Sequence, residues 1–290
     1  MSTIEKRDLT PSYWDQVFDE LTRTAPLGAW RDYMHRVYSR LLDSWFPWAG
    51  RGEGLKTDLF EEALSPHGLL PQMGPHSFGI DYSVAVVRAA RERMQACGKS
   101  SLLIVGDLRQ LPIRSSSVQY VLSGSSLDHF ASHRDIAVCL AELNRVLVPG
   151  GTAIFTFDNP HNPVVWLRNR MPFDWLKRAR LVPYYVGDTY TRGMARRELE
   201  NAGFEILGIT SVAHAPRAAA IAVIALLERL RWNGSARAVS SILDIFENLR
   251  YLPTRYLTGY YIACHTRKIN GNQSMAGGSG PKKPGSEASS

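Results

Sequence analysis

Cysteine is scarce: Cys97, Cys139 and Cys264 are the three in 290 residues, widely separated and odd in number. That pattern excludes a disulfide framework and a cysteine-based zinc site, and it predicts a reducing compartment. Long apolar runs are also missing. The longest, Ala218 to Leu227, has ten residues, short of the roughly 18 that a membrane span needs. No charged-then-apolar signal opens the chain, so a cytoplasmic location is expected. Charged residues make up only 21% and hydrophobic ones 44%, a balance ordinary for a globular protein. The net charge of +7 includes Lys282 and Lys283. It therefore predicts a solvated basic surface and no nucleic-acid partner. No G-x-G-x-x-G follows an apolar strand, which disfavours a nicotinamide-dependent oxidoreductase.

What is present centres on Ser101 to Asn159. Leu102-Leu103-Ile104-Val105 has the composition of a short buried strand and stops at Gly106-Asp107-Leu108, which puts a carboxylate at a strand's carboxyl end. Val118 to Leu122 is the next strand, ended by the small residues Ser123-Gly124-Ser125-Ser126. Ile136, Leu140, Leu143 and Leu147 recur at helical spacing from Asp135, so one face of a helix packs on the sheet. Pro149-Gly150-Gly151 stops that helix before a strand from Thr152 to Phe157.

This order, Gly106-Asp107-Leu108, Leu111-Pro112, a helix, then Arg145-Val146-Leu147-Val148-Pro149-Gly150-Gly151, resembles the second half of the class I S-adenosylmethionine-dependent methyltransferases. The likeness is strongest to the small-molecule, type 11 group. It covers about Leu55 to Gly208. It implies an α/β fold: a doubly wound Rossmann-like sheet with an antiparallel last strand, an N-terminal helical cap at 1–46, a methyltransferase domain at 47–268 with a helical insertion near 216–250, and a disordered tail at 269–290. The implied cofactor is S-adenosyl-L-methionine, and the implied partner is a small, apolar or amphiphilic methyl acceptor.

The family's first motif is the place of departure. Its usual glycine loop follows the first strand, whereas here Gly50, Gly52 and Gly54 precede Leu55. Either Gly50 to Gly54 is the loop and Asp43 to Trp48 the strand, or Leu55 to Phe60 is a short strand with Lys56, Thr57, Asp58 and Glu61 as a substitute loop. Spacing favours the second. Asp81 ends the next strand, Phe78 to Asp81, at about the separation expected of the acid that holds the ribose hydroxyls. A catalytically silent relative that binds a partner or a membrane is the alternative that this departure keeps open.

By resemblance, Asp81 and Tyr82 bind the ribose, Gly106, Asp107 and Leu108 the adenine, and Ser123 and Ser125 border the space toward the acceptor. Without the resemblance, Asp81 or Ser83 reads as the cap of a helix from Val84 to Met94 whose Val84, Val87, Ala90 and Met94 face inward. His129 and His161 are the candidate catalytic bases, since imidazole titrates near neutrality and both follow strand ends.

Pro11 to Phe18 and Trp30 to Trp45 read as helices of the cap, with Tyr13, Trp14 and Tyr38 as pocket candidates. Val164 to Val182 interleaves Trp166, Phe173 and Trp175 with Arg168, Arg170, Lys177 and Arg178. It suits a pocket lid, with peripheral membrane or lipid contact as the second reading. A helix from Thr191 to Ala202 and a strand from Phe204 to Gly208 follow, and the apolar run after Arg217 suits a buried helix or a homodimer contact. Ser240 to Leu249 gives another helix, and Thr258 to Cys264 the last strand.

Overall fold

Seven strands, β1 (Gly54–Lys56), β2 (Ser77–Asp81), β3 (Leu103–Val105), β4 (Val118–Ser123), β5 (Leu147–Asp158), β6 (Phe204–Val212) and β7 (Tyr261–Lys268), form one sheet in the order β3-β2-β1-β4-β5-β7-β6. The computed structural model describes residues 9–24, 28–46, 52–65, 68–130, 132–179, 182, 184–229 and 235–270. β1 to β5 run parallel, and β7 lies antiparallel between β5 and β6. The expected doubly wound Rossmann-like sheet with an antiparallel last strand is therefore present. Winding reverses between β1 and β4, which opens a crevice at their carboxyl ends.

The sheet is covered on both faces, as short parallel strands require. On one face, helix His133–Val146 buries Ile136, Cys139, Leu140 and Leu143, and helix Arg192–Asn201 buries Ala195 and Leu199, against Val121, Phe155 and Phe157. The other face receives helices from distant parts of the chain. Tyr33, Val37 and Leu41 of helix Gly28–Trp45, Val86 and Ala90 of helix Val84–Ala96, and Ile224 and Leu243 of helices Arg217–Arg229 and Ser235–Phe246 share a core with Ile154 and Ala263. Asp244 ties the late helices to the early one, accepting from Arg36 Nε at 2.8 Å and Arg40 at 3.0 Å.

Several boundaries differ from expectation for local reasons. β1 is only Gly54–Lys56, because the Asp58 side chain accepts the Phe60 N–H at 2.9 Å and turns the chain into helix Phe60–Leu64. Asp43 to Trp45 belong to helix Gly28–Trp45, which rules out the alternative first strand. Pro47 to Arg51, Pro66, His67 and the tail after Asn270 lie outside the described residues. Helix Val84–Ala96 is capped by Ser83, which accepts the Val86 N–H, and its inward positions are Val86, Val87, Ala90 and Met94, with Val84 43% exposed. β5 begins at Leu147: Pro149-Gly150-Gly151 forms a register shift inside the strand pairing, with Gly150 at φ +75°. β6 runs on to Val212 and β7 starts at Tyr261, after a helical turn at Arg255–Thr258. Val164 to Val182 holds two short helices, Pro163–Arg170 and Phe173–Arg178. Among the described residues no helix is long and apolar enough to cross a membrane.

Candidate active site

The switch point opens into a cavity of about 840 Å³ reached by residues of β1, β2, β4 and β7 and of the loop after β3, and roofed by the early helices. Lys56, Thr57, Asp58, Glu61, Asp81, Tyr82, Gly106, Asp107, Leu108, Ser125 and His129 all line it. Ser123 and His161 do not. Ser123 is fully buried behind Thr57, whose Oγ1–H it accepts at 3.0 Å, and His161 sits exposed in the loop after β5 with its backbone N–H on Asn159 Oδ1. The expected pocket aromatics Trp14 and Tyr38 are in the wall. Tyr13 instead bonds outward, its hydroxyl accepting the Tyr185 N–H at 2.9 Å.

Asp81 is positioned from two sides. Its Oδ2 accepts the Leu59 N–H at 3.0 Å and its Oδ1 the Ser83 N–H at 2.9 Å. One lone pair per oxygen stays available for a pair of vicinal hydroxyls. Burial and the neighbouring Asp58 carboxylate push its pKa up to about 7. Asp58 is itself raised by burial, against the pull of Lys56 and the Phe60 N–H. The missing glycine loop thus has a physical substitute. No residue from Lys56 to Phe60 needs a left-handed backbone, and the turn is held by side chains. Lys56 is occupied within it: its ammonium meets Glu62 at 2.9 Å and the Asp58 carbonyl, and Glu62 also accepts the Leu70 N–H at 2.9 Å. Burial pulls the Lys56 ammonium down, but Glu62 and Asp58 outweigh it and the net shift is upward.

Asp107 reaches the cavity already paired. Burial alone would raise its carboxyl, but Arg109 bonds both oxygens, at 2.7 Å to Oδ2, and holds it below the usual carboxylate range. His129, also in the wall, lies against Trp14 (4.7 Å between ring centroids) and Tyr184 (5.2 Å). Its Nδ1 is buried with no partner, and burial lowers its pKa to about 4, so it is neutral at physiological pH. Tyr38 shares a hydrogen bond with Thr156 Oγ1 at 3.0 Å, and burial pushes its phenol up to about 12. Gly124 makes room for that ring, since a Cβ there would stand 3.0 Å from Tyr38 Cε1.

Sequence reasoning missed Arg31, Trp30, Met34, Tyr184, Arg217 and Tyr261, all in the wall. Arg31 pairs with Glu61 at 3.3 Å. One usable signal was available: Arg217 heads an otherwise apolar run, where a charge has little reason to be unless it faces something polar.

Comparison with known proteins agrees with this geometry. The family model Methyltransf_11, a methyltransferase domain, matches residues 56–155. Demethylmenaquinone methyltransferase of Staphylococcus aureus (strain JH9) is 32% identical over 103 residues, 36% of this chain and 38% of that protein. The match thus spans little more than a third of the relative's length. Among solved structures, an S-adenosylmethionine-dependent methyltransferase from Mesorhizobium loti superposes with a TM-score of 0.52 at 16% identity, covering 79% of this chain and 96% of that one. Geranyl diphosphate C-methyltransferase from Streptomyces coelicolor A3(2), solved with Mg2+, geranyl-S-thiolodiphosphate and S-adenosyl-L-homocysteine, gives 0.51 at 14% identity over 80% of this chain and 75% of that one. The methyltransferase-domain match at residues 56–155 is seated on this strand order, and the fold is that of the class I S-adenosylmethionine-dependent methyltransferases.

Proposed function

We propose that the chain transfers a methyl group from S-adenosylmethionine to a small acceptor with a largely apolar, aromatic body. The observation that carries this reading is one continuous cavity lined both by the doubly supported Asp81 carboxylate and by the aromatic side chains Trp14, Trp30, Tyr38, Tyr184 and Tyr261. The residues fit the cofactor. Asp81 has free lone pairs for ribose hydroxyls, Leu108 offers an apolar surface beside Asp107 for a base, and Glu61 with Arg31 presents an anion and a cation to an amino-acid tail. When bound, S-adenosylmethionine supplies an electrophilic methyl group on a sulfonium centre. The task left to the protein is alignment, which can account for much of the acceleration of an in-line displacement.

The aromatic walls exclude water and hold a planar acceptor. Neutral His129 lies in the cavity wall beside the Trp14 and Tyr184 rings and helps to bound the acceptor space. With a pKa near 4 it is a weak proton acceptor, so positioning outweighs base catalysis. His161, which does not line the cavity, has no part in this scheme. The lipid contact suggested by the sequence belongs to the same proposal: Trp166, Leu167 and Trp175 are 47, 54 and 51% exposed. Arg168 turns inward to Asp158, and Arg170 stacks on Trp166 at 3.6 Å.

Calorimetric titration of S-adenosylmethionine and S-adenosylhomocysteine into the wild type and Asp81→Ala tests the reading. Saturable binding that the variant loses supports it. A folded wild type that binds neither ligand overturns it.

A further inference from the structure

We infer that the acceptor carries an anionic oxygen group, a carboxylate or a phenolate, and that Arg217 is its anchor. The inference rests on the methyl-transfer reading above and names the substrate class for that same site.

The position of Arg217 is built by several independent restraints. β6 ends at Val212, and Ala213 reverses the chain in a left-handed conformation, φ +60°, that a residue with a Cβ adopts only under constraint. The reversal is pinned by backbone bonds: Tyr260 N to Ala213 O at 3.1 Å, His214 N to Glu247 Oε1 at 2.8 Å and Ala215 N to the Tyr33 hydroxyl at 3.1 Å. Pro216 then starts helix Arg217–Arg229, whose first side chain lines the cavity. That end is the acceptor end. Tyr260 and Tyr261, beside Arg217, lead into β7, three strands from β1 in the sheet order, or roughly 14 Å at the usual strand spacing.

The guanidinium lies 5.2 Å from the centre of the Tyr260 ring, and among the described residues no carboxylate comes within ion-pair distance of it. Asp158, the nearest acid acting on it, is committed to Arg168. Burial and Asp158 push the Asp128 carboxyl well above its usual range, and His129 is neutral. Arg217 therefore carries its charge in the cavity wall with no carboxylate in contact, which is costly unless a partner arrives. An arginine at the first turn of a helix, where the backbone already presents positive charge, adds to that cost. An anion at this point would be attracted by both. The planar guanidinium fork suits a carboxylate or an aromatic oxyanion held edge-on, with Tyr184, Tyr261 and Trp14 around its ring.

Calorimetry with matched probes tests this, with and without saturating S-adenosylhomocysteine. Benzoate, 1-naphthoate and indole-3-acetate are each titrated beside their primary amides, and 4-nitrophenolate at pH 8.5 beside 4-nitroanisole. At least one anion should bind tenfold or more tighter than its neutral counterpart, with the carboxylate and phenolate arms showing which group is taken. Arg217→Gln should bring that preference to within twofold while leaving S-adenosylhomocysteine affinity unchanged. It should also melt at or above the wild type, because an unpaired charge has been removed. Arg217→Lys, which keeps the charge and loses the fork, should retain a reduced preference and serves if the glutamine variant does not fold. Absence of any anion preference, or a preference that survives Arg217→Gln, overturns the inference while the methyl-transfer reading stands. Weakened S-adenosylhomocysteine binding in Arg217→Gln overturns it too, by assigning the arginine to the cofactor. Failure of the wild type to bind S-adenosylhomocysteine removes both.

Discussion

Asp81 stands under opposing demands from folding and binding. Its pKa of about 7 in the ligand-free protein lies above the unfolded value of about 3.9. The folded state therefore holds the extra proton between those limits, and stability falls as pH rises from about 4 through 7. Asp81→Asn should accordingly melt higher than the wild type at pH 8, by about 1 kcal/mol or roughly 2–4 °C, and lose that advantage near pH 4. Binding runs the other way. An ionised Asp81 beside Asp58 attracts a cationic sulfonium, so the affinity ratio of S-adenosylmethionine to S-adenosylhomocysteine should rise between pH 5.5 and 8 in calorimetry. A flat ratio would separate the carboxylate pair from the cofactor. Asp81 was legible in the sequence because an acid ending an apolar strand at that spacing has few structural alternatives. Arg31 was not, because an arginine on an amphipathic helix gives no local sign of which way it faces. Ser123 misled for the complementary reason: a strand-end serine can point down into the sheet as well as up into the crevice.

At the scale of elements, the turn after β1 shows what replaces glycine. Lys56 and Glu62 are both buried, and the pair supports Asp58 and Leu70. Lys56→Met leaves a buried carboxylate without its cation, and a loss of about 3–5 kcal/mol in denaturant unfolding is expected. Lys56→Met combined with Glu62→Leu should recover part of it. If Lys56→Met weakened cofactor binding with stability unchanged, the lysine would be a ligand and not a strut. The early helix Pro11–Thr24 is tied down by a comparable device. Asp15 accepts the Ala85 N–H at 3.0 Å and the Ser83 hydroxyl, so one carboxylate joins the roof of the cavity to the helix that follows Asp81. Asp15→Ala should cost about 1–2 kcal/mol and speed cofactor dissociation in stopped flow. The helices themselves were readable from their apolar spacing, and the parallel strands from short apolar runs closed by Asp or small residues. What periodicity could not show was side-chain bonding across 20 to 70 residues, which sets where β1 ends and how the roof is held.

Over the whole molecule, the early helices, the helices near residues 217–246 and one face of the sheet bury their side chains in a single core. A ligand that bridges the crevice should therefore report on parts of the chain far apart in sequence. The doubly wound sheet with its antiparallel last strand was anticipated because the middle of the chain, from Phe78 to Asn159, follows the family pattern closely. The joint core was not, because Tyr33, Glu247 and Ala215 meet only through tertiary packing. The cations on the early-strand side of the cavity, Arg31, Lys56 and Arg109, are each paired with a carboxylate, whereas Asp81 there and Arg217 near β7 have no ion-pair partner among the described residues. A cationic cofactor and an anionic acceptor would each settle by the unpaired group of opposite sign, and transfer of the methyl group would cancel the cofactor's sulfonium charge. At 100 times its dissociation constant S-adenosylhomocysteine should add about 2.7 kcal/mol and raise the melting temperature by roughly 5–10 °C. Amide exchange should slow not only in the β1–β2 region but also in helices Pro11–Thr24 and Gly28–Trp45. Protection confined to β1 and β2 would mean that the early helices close over the site without help from the ligand.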